Sequence, residues 1–224
     1  MPPVLAQPLD YVGTALNSPS TRMLIGLVGV PGAGKTTLAA QWATHLNAAH
    51  GVGTAVALGM DGFHLTKARL AQFPDPVAAF ARRGAPWTFD AAGFVAALQR
   101  VRQSAGVCAA TWPGFEHAIG DPIADAKTIP AATRIVIVEG LYLLHDDDGW
   151  EQVRGQLDSC WYLDTPLPVA MDRLAQRHMQ AWGFTRQQAD ERIATNDGLN
   201  AQLVANSAAR ADFLIGHRTP SSIR

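Results

Sequence analysis

Residues 29–36 read GVPGAGKT, and this stretch decides the fold. It follows a short apolar run, MLIGLVG at 23–29, and precedes a helical pattern over about 35–49. A G-x-x-x-x-G-K-[ST] motif between a strand and a helix is the Walker A phosphate-binding loop, whose backbone N–H groups wrap a phosphate chain. Glycine is needed where that backbone approaches the phosphates most closely. The stretch therefore predicts binding of a nucleoside triphosphate.

Two side chains of the loop have predicted chemical roles. Lys35 should reach the β- and γ-phosphate oxygens, and Thr36 should offer its hydroxyl to Mg²⁺. The alternative, an accidental glycine-rich turn, is disfavoured by the strand and the helix on either side. The expected nucleotide-binding residues are Gly29, Pro31, Gly32, Ala33, Gly34, Lys35, Thr36 and Thr37.

Apolar runs similar to 23–29 recur along the chain, and each predicts a strand buried on both faces. They are TAVALGM at 54–60, GVCAATW at 106–112, TRIVIVEG at 133–140 and SCWYLD at 159–164. ADFLI at 211–215 is a candidate for one more strand near the C-terminus. Helical patterns lie at about 35–49, 91–104, 166–181, 185–195 and 198–209. The alternation predicts an α/β, three-layer P-loop NTPase fold, with a mainly parallel central sheet flanked by helices and a small helical lid.

Composition and charge limit the class of protein. The chain has 224 residues, 48% apolar and 17% charged, which suits a single P-loop domain at 21–224 with a lid at about 173–195. Residues 1–20, with four prolines, are expected to form an N-terminal arm or helix. The sequence has no apolar stretch long enough to predict a membrane span, and no secretion signal is recognisable. Its two cysteines are far apart, which fits a reducing compartment. We therefore expect a cytoplasmic location. The net charge of -1 and the scattered basic residues argue against a nucleic-acid partner.

An acidic residue stands where the second apolar run ends, in VALGMDGFHL at 56–65. If this strand runs parallel to the first, Asp61 lies at the same carboxyl edge of the sheet as the phosphate-binding loop. It could then accept the proton of an attacking hydroxyl. Two alternatives remain open: Asp61 starts an Asx-turn with Gly62, or it is a Mg²⁺ ligand of an enzyme that only hydrolyses nucleotides.

A second acidic residue, Glu139, ends the apolar strand RIVIVEG at 134–140. A Walker B carboxylate, which holds Mg²⁺ directly or through water, is expected at this place. The alternative is an exposed carboxylate that merely finishes a strand. The expected metal site consists of Thr36, Glu139 and Asp61.

Four motifs in this order resemble the P-loop kinases that group uridine kinase, phosphoribulokinase and bacterial pantothenate kinase. They are GVPGAGKTT at 29–37, MDGFH at 60–64, VEGLYLL at 138–144 and WYLDTPLPVAMDRLAQRH at 161–178. The resemblance covers roughly 22–216. Together with RRGAPWTFD at 82–90, it is closest to a bacterial branch whose members are named nucleoside/nucleotide kinases or fructose transport system kinases.

The resemblance implies roles for residues at matching positions. Asp61 occupies the place of the catalytic carboxylate, and Arg173 and Arg177 fall where the family has arginines at the base of a mobile lid. PGFEH at 113–117 and RRGAPWTFD at 82–90 are similar to acceptor-site segments. The expected catalytic residues are Asp61, Lys35, Arg173 and Arg177, and the expected acceptor-binding residues are His64, Trp87, Asp90, Phe115 and His117.

The residues themselves leave alternatives open at several of these positions. Arg173 and Arg177 stand four apart on one helix face and could clamp phosphate oxygens or simply be solvated. Asp90 also suits the cap of the helix that follows it, and Trp87 suits a pocket or the core. Binding of an anionic acceptor or of solvent alone is open for Arg69, Arg82 and Arg83.

The sequence thus predicts a kinase that uses ATP and Mg²⁺ to phosphorylate a hydroxyl of a small metabolite, such as fructose or a nucleoside-like acceptor. His178 and Gln180 stand where uridine kinases are richer in arginine, which argues against a nucleoside. The alternatives are a P-loop ATPase and a nucleotide-sensing accessory protein without a small-molecule acceptor. The resemblance is compatible with a homodimer, but the sequence locates no interface.

Overall fold

A five-stranded parallel sheet lies at the centre of the computed structural model, which describes residues 11–13, 16, 22–116 and 119–216. The strands of the described chain are β1 (Met23–Val28), β2 (Ala55–Gly59), β3 (Ala110–Glu116), β4 (Asp121–Ile129), β5 (Ile135–Gly140), β6 (Ser159–Asp164) and β7 (Phe213–Gly216). The order across the central sheet is β2-β5-β1-β6-β7, and every neighbouring pair is parallel. The α/β prediction is confirmed.

Helices flank this sheet and connect its strands. They are α1 (Lys35–His50), α2 (Lys67–Leu70), α3 (Pro76–Ala81), α4 (Ala91–Gln103), α5 (Leu167–Trp182), α6 (Arg186–Arg192) and α7 (Gly198–Asn206), with a π-helical turn at Ile193–Asp197 between α6 and α7. Five of them were predicted, whereas the short helices α2 and α3 were not. No helix in the described ranges has the length and apolarity that crossing a membrane requires.

The middle strands β1, β5 and β6 are buried on both faces of the sheet, which explains why they are almost wholly apolar, whereas the edge strand β7 leaves Phe213 and Leu214 exposed. On one face, Trp42 of α1 packs edge-on against Trp161 of β6, with ring centroids 5.3 Å apart. On the other face, Phe94 of α4 packs against Trp112 at 5.5 Å and Trp150 at 5.3 Å. Helices α1 and α4 are thus packed on opposite faces of the sheet, and α1 carries the end of the phosphate-binding loop.

One strand prediction is wrong. The run at 106–112 was expected to be a strand buried on both faces, but the strand begins at Ala110 and pairs antiparallel with β4 in a separate two-stranded sheet. We call this unit the β3–β4 hairpin. Within β3 only Trp112 is buried. Its side chain packs into the core, whereas the other residues of β3 are exposed or half-buried. An apolar run predicts a strand, but it does not specify the sheet to which the strand belongs.

The N-terminal segment falls mostly outside the described residues. Residues 11–13 are helical, Val12 is 2% exposed, and the Tyr11 ring lies 6.0 Å from Trp161 and 5.8 Å from Phe213. The division into an arm at 1–20 and a single domain at 21–224 stays a prediction.

Candidate active site

Three predicted site segments meet at the carboxyl edge of the sheet. Strands β1 and β2 both run parallel to β5, and Glu139 of β5 is level with Leu27 of β1 and Gly59 of β2. The phosphate-binding loop follows β1 directly, and Asp61 comes two residues after Gly59. The parallel arrangement on which the Asp61 interpretation depended is therefore present.

The phosphate-binding loop has the conformation that its glycines permit. Gly32 and Gly34 have φ angles of 78° and 97°, which L-residues with side chains rarely adopt. A β-carbon on Gly32 would lie 2.1 Å from the carbonyl oxygen of Ala170 in α5, so glycine is also required by packing. Ala33 is buried, and its carbonyl accepts a hydrogen bond of 3.1 Å from the Thr165 hydroxyl. The loop is thus held from two sides.

Lys35 is buried inside its own loop. Its ammonium donates hydrogen bonds to the carbonyl oxygens of Gly29 at 2.8 Å and Val30 at 3.1 Å. Burial lowers the pKa of Lys35, whereas the negative charges of Glu139 and Asp61 raise it and the positive charge of Arg177 lowers it. The side chain therefore lies within electrostatic range of the groups predicted to act beside it.

Thr36 and Glu139 are joined directly. The Thr36 hydroxyl donates a hydrogen bond of 3.0 Å to Glu139 Oε1. Burial raises the pKa of Glu139, and Asp61 raises it further, while Lys35, Thr36 and Lys127 lower it. Glu139 is therefore more than an exposed carboxylate that finishes a strand, because its side chain faces the first turn of α1.

Asp61 lies in a tight 3₁₀ turn, Met60–Phe63, whose geometry exposes its carboxylate. The Asp61 carbonyl oxygen accepts a bond of 3.1 Å from His64 N. Its carboxylate forms no hydrogen bond with any residue that the structure describes, so the Asx-turn with Gly62 is not formed. Gly62 is needed for another reason, since an added β-carbon would lie 2.3 Å from the Pro113 carbonyl oxygen of β3.

A cavity of about 290 Å³ lies between α1, the end of β2 and the β3–β4 hairpin. We call it the edge cavity. Its polar lining comes from Thr36, Asp61, Lys127 and Glu139, and Phe115 provides the one aromatic side chain among the described residues that line it. The volume is at the lower end of the range for small-molecule sites, about 300–1,000 Å³. The edge cavity therefore has room for a small acceptor beside the carboxylates.

A second cavity of about 550 Å³ shares Gly62 and Pro113 with the first and is lined by His64, Arg69, Asp90 and Arg100. The His64 ring lies 4.0 Å from Phe89 and 4.7 Å from Phe115, and its Nδ1 is 2.9 Å from the Asp61 carbonyl oxygen. Asp90 Oδ1 accepts a bond of 2.9 Å from Gly93 N, so the predicted cap of α4 is confirmed. His64 and Asp90 thus lie next to the edge cavity rather than in its lining.

Trp87 lines neither of these two cavities and is not brought to the site. The Trp87 ring packs against Phe73 with centroids 5.8 Å apart and is 38% exposed. His117, the other expected acceptor-binding residue of the hairpin, lies outside the described residues.

The paired arginines Arg82 and Arg83 hold elements together instead of facing an acceptor. Arg83 donates hydrogen bonds to Leu65 O at 3.0 Å and Gly120 O at 2.5 Å and forms an ion pair with Asp121 at 3.0 Å. Arg82 donates to Asn200 Oδ1 at 3.2 Å. Both fasten the loop before α4 to its neighbours, the hairpin and α7.

Arg173 and Arg177 are exposed on α5, one turn apart, at the start of the predicted lid. Arg177 is close enough to Lys35 to lower the pKa of that ammonium. His178, which replaces an expected basic residue, is buried and pairs with Asp197 at 2.8 Å. The Asp197 carboxylate belongs to the π-helical turn, so this pair ties α5 to the segment between α6 and α7.

Sequence reasoning missed Lys127. The residue lies on β4, opposite Trp112 of β3, and its ammonium donates a hydrogen bond of 3.0 Å to Ala57 O. The only signal was the alternating pattern DPIADAKTI at 121–129, which contains too few apolar residues to predict a strand.

The donor set suits Mg²⁺ held together with a nucleotide. Across the described ranges, no three His, Cys, Asp or Glu side chains gather into a ready-made metal site. Mg²⁺ usually binds one or two carboxylates, with phosphate and water oxygens completing the octahedron. Glu139, Thr36 and the adjacent Asp61 match that requirement, because the two oxygens of the Thr36–Glu139 pair already lie 3.0 Å apart.

Comparisons with known proteins agree with this geometry. Residues 24–221 match the family described as PRK: Phosphoribulokinase / Uridine kinase family. An ATP-dependent kinase-like protein of Aspergillus versicolor is 39% identical over 146 residues, covering 63% of this chain and 84% of the relative. A candidate uridine kinase of Schizosaccharomyces pombe is 37% identical over 195 residues, covering 87% of this chain and 83% of the relative.

A solved structure extends the likeness to the fold. The crystal structure of a candidate fructose transport system kinase from Silicibacter sp. TM1040 superposes with a TM-score of 0.78 at 31% identity. The superposition covers 92% of this chain and 98% of that chain.

Proposed function

The chain belongs to the phosphoribulokinase / uridine kinase family, and on this premise we propose that it is an ATP-dependent kinase that phosphorylates a hydroxyl of a small metabolite. The observation that carries the proposal is that Asp61, Thr36 and Glu139 line one cavity beside the phosphate-binding loop. A carboxylate free of hydrogen bonds within the described structure therefore lies next to the place where the terminal phosphate must end. The edge cavity leaves room for an alcohol between them.

The phosphate-binding loop holds the triphosphate. The backbone N–H groups of Gly29 to Thr37 and the positive end of α1 bind phosphate oxygens. Lys35 now donates to two loop carbonyls, so it exchanges those hydrogen bonds for the β- and γ-phosphate oxygens when nucleotide binds. Thr36 and Glu139 hold Mg²⁺, which when bound neutralises charge on the phosphates.

Asp61 orients the acceptor hydroxyl and takes its proton. A general base must come within hydrogen-bond reach of the proton that it accepts, and the exposed Asp61 carboxylate has that freedom at the cavity wall. The acceptor oxygen then attacks the γ-phosphorus as the bond to ADP breaks. Asp61 stands at the position of the family's catalytic carboxylate, which supports the role of a general base over that of a metal ligand alone.

Arg177, with Arg173 one turn before it, stabilises the charge on the migrating phosphoryl group. Guanidinium groups aimed at developing negative charge are a recurring device in phosphoryl transfer. The segment that follows them, α6 and the π-helical turn, excludes water in this proposal, because water in the cavity would be phosphorylated in place of the alcohol.

The test is an ADP-release assay with one added acceptor at a time. Neutral sugars, nucleosides, sugar acids, sugar phosphates and pantothenate form the panel, and water alone is the reference. A kinase should show at least one acceptor that raises ADP release about a hundredfold over water. An ATPase would instead release ADP at the same rate with every compound, and a nucleotide sensor would bind ATP and release none.

A further inference from the structure

The edge cavity contains a cation that the proposed reaction does not use. Among the described residues that line this cavity, Lys127 is the only lysine or arginine. The positive groups assigned to the nucleotide come from other places, Lys35 from the buried side of the loop and Arg177 from α5. Lys127 enters from the hairpin, the element that closes the cavity opposite α1.

The Lys127 ammonium is held at the cavity wall with donors to spare. One N–H donates to Ala57 O at 3.0 Å, and an ammonium has three donors. The side chain is exposed, and its charge is near enough to Glu139 to oppose the effect of burial on the pKa of that carboxyl. The two remaining donors are therefore available to a ligand in the cavity.

The other polar groups of the cavity are already engaged in the proposed reaction. Asp61 takes the reacting hydroxyl, and Glu139 is bonded to Thr36 and supports Mg²⁺. The lining otherwise consists of small aliphatic residues, glycines, Pro113 and the single aromatic Phe115. A nucleobase sandwiched between two aromatic rings would lack the second ring here, whereas a compact polyol would fit the volume of about 290 Å³.

We infer that Lys127 is a specificity-determining residue that binds an anionic group of the acceptor, and that the acceptor is a small polyol carrying a carboxylate or a phosphate. This inference rests on the proposed kinase function and narrows its substrate class. A charge-assisted bond from an ammonium to such a group is stronger than a neutral hydrogen bond and would orient the far end of the acceptor while Asp61 holds the reacting hydroxyl.

A merely structural role for Lys127 would be to anchor the hairpin to β2 through Ala57 O. The chain offers a matched control for that role. Lys67 makes the same kind of contact, donating from its ammonium to Ile119 O at 2.6 Å near the hairpin turn, and it lines neither of the two cavities described. Glutamine at either position removes the charge and keeps an N–H donor for the carbonyl.

The experiment measures ADP release by wild type, Lys127→Gln and Lys67→Gln with gluconate, glycerate, fructose 6-phosphate, fructose and uridine. We expect the anionic acceptors alone to stimulate the wild type, with the sugar acids and fructose 6-phosphate distinguishing carboxylate from phosphate recognition. Lys127→Gln should raise the KM for the anionic acceptor about tenfold or more and change the KM for ATP less than about twofold. Lys67→Gln should resemble the wild type.

Three results would overturn the inference and leave the kinase proposal standing. They are a stronger response to fructose or uridine than to any anion, a Lys127→Gln defect confined to ATP, and equal KM increases in both glutamine variants. If no acceptor stimulates ADP release over water, the kinase proposal fails and the inference falls with it. A thermal shift of the nucleotide-loaded protein by gluconate or fructose 6-phosphate, lost in Lys127→Gln and kept in Lys67→Gln, would support the inference by a binding measurement that is separate from the ADP-release assay.

Discussion

Thr36 and Glu139 are hydrogen-bonded at 3.0 Å although they are 103 positions apart in the chain. One stands in the first turn of α1 and the other near the end of β5, so the contact joins the two elements that a P-loop kinase uses to hold Mg²⁺. The two side chains are thus positioned by the sheet and helix before any ligand arrives.

Replacing Glu139 with glutamine should stabilise the ligand-free protein. Burial raises the pKa of Glu139 in the folded chain, so its ionised form opposes folding. This cost is fully present above the folded pKa, falls as the pH drops through it, and is absent below the unfolded value. Glu139→Gln keeps the acceptor for Thr36 and should raise Tm by about 2–4 °C at alkaline pH, with no gain in acid.

Thermal denaturation without Mg²⁺ at several pH values measures this difference. The same variant should lose most of its Mg²⁺-dependent ATP turnover. An unchanged Tm at every pH would contradict the account of the buried charge.

Asp61→Asn should lower turnover about 10²–10⁴-fold, because the amide cannot take the acceptor proton. ATP affinity should change little, since Asp61 forms no hydrogen bond with the described part of the phosphate-binding loop. Steady-state kinetics and calorimetric titration with a non-hydrolysable ATP analogue separate the two effects. The control is Glu151→Gln, which likewise converts a carboxylate to an amide but at an exposed position away from the site. Wild-type turnover in Asp61→Asn would refute the base assignment.

Arg177→Gln should reduce kcat about 10²-fold, the usual effect of removing one group that stabilises transition-state charge. Arg177 is expected to act in this way because its charge reaches Lys35, the residue proposed to bind the β- and γ-phosphate oxygens. Arg186→Gln is the comparison, because among the described residues Arg186 pairs with Asp172 and Asp190 at the exposed surface, where ion pairs contribute little. Equal kcat values for the two variants would indicate that Arg177 is only a surface charge.

Gly32→Ala should impair nucleotide binding and stability together. The new methyl group would meet the Ala170 carbonyl oxygen at 2.1 Å, and the φ angle of 78° disfavours alanine. We expect a loss of about 1–3 kcal/mol in the free energy of unfolding, measured with urea, and weaker binding of an ATP analogue.

Gly155→Ala is the control for this change, because a β-carbon there meets nothing within 4 Å. It should leave both properties near wild type. A Gly32→Ala protein with normal ATP affinity would show that the loop tolerates displacement from α5.

The sequence predicted the central sheet well because its middle strands are buried on both faces and several strands end in chemically distinctive residues. Strands β1, β2, β5 and β6 each form one apolar run, and the loop, Asp61 and Glu139 follow from where those runs stop. The rule that parallel strands share a carboxyl edge then brings the three segments together. Local pattern and topology agree at this edge.

The β3–β4 hairpin could not be predicted from apolar runs and strand order in this way. Strand β4 is mostly exposed, so it has no apolar run, and β3 was assigned to the wrong sheet. The place of Lys127 depends on the pairing of Trp112 with Lys127, a register that no local pattern encodes. The structural duties of Arg82 and Arg83 depend likewise on contacts with residues far along the chain.

The β3–β4 hairpin is one continuous stretch of sequence between α4 and β5, and the flanking residues Ala109 and Pro130 are both exposed. Thr36, Asp61 and Glu139 all lie outside it. Exchanging this segment for a relative's hairpin would replace the wall that carries Phe115 and Lys127 and keep Thr36, Asp61 and Glu139, provided that the new hairpin fills the core position of Trp112 and the contact of Pro113 with Gly62. If the proposed kinase function holds, the acceptor-facing wall and the phosphate-binding residues thus belong to separate segments of the chain, and the first can vary while the second is kept.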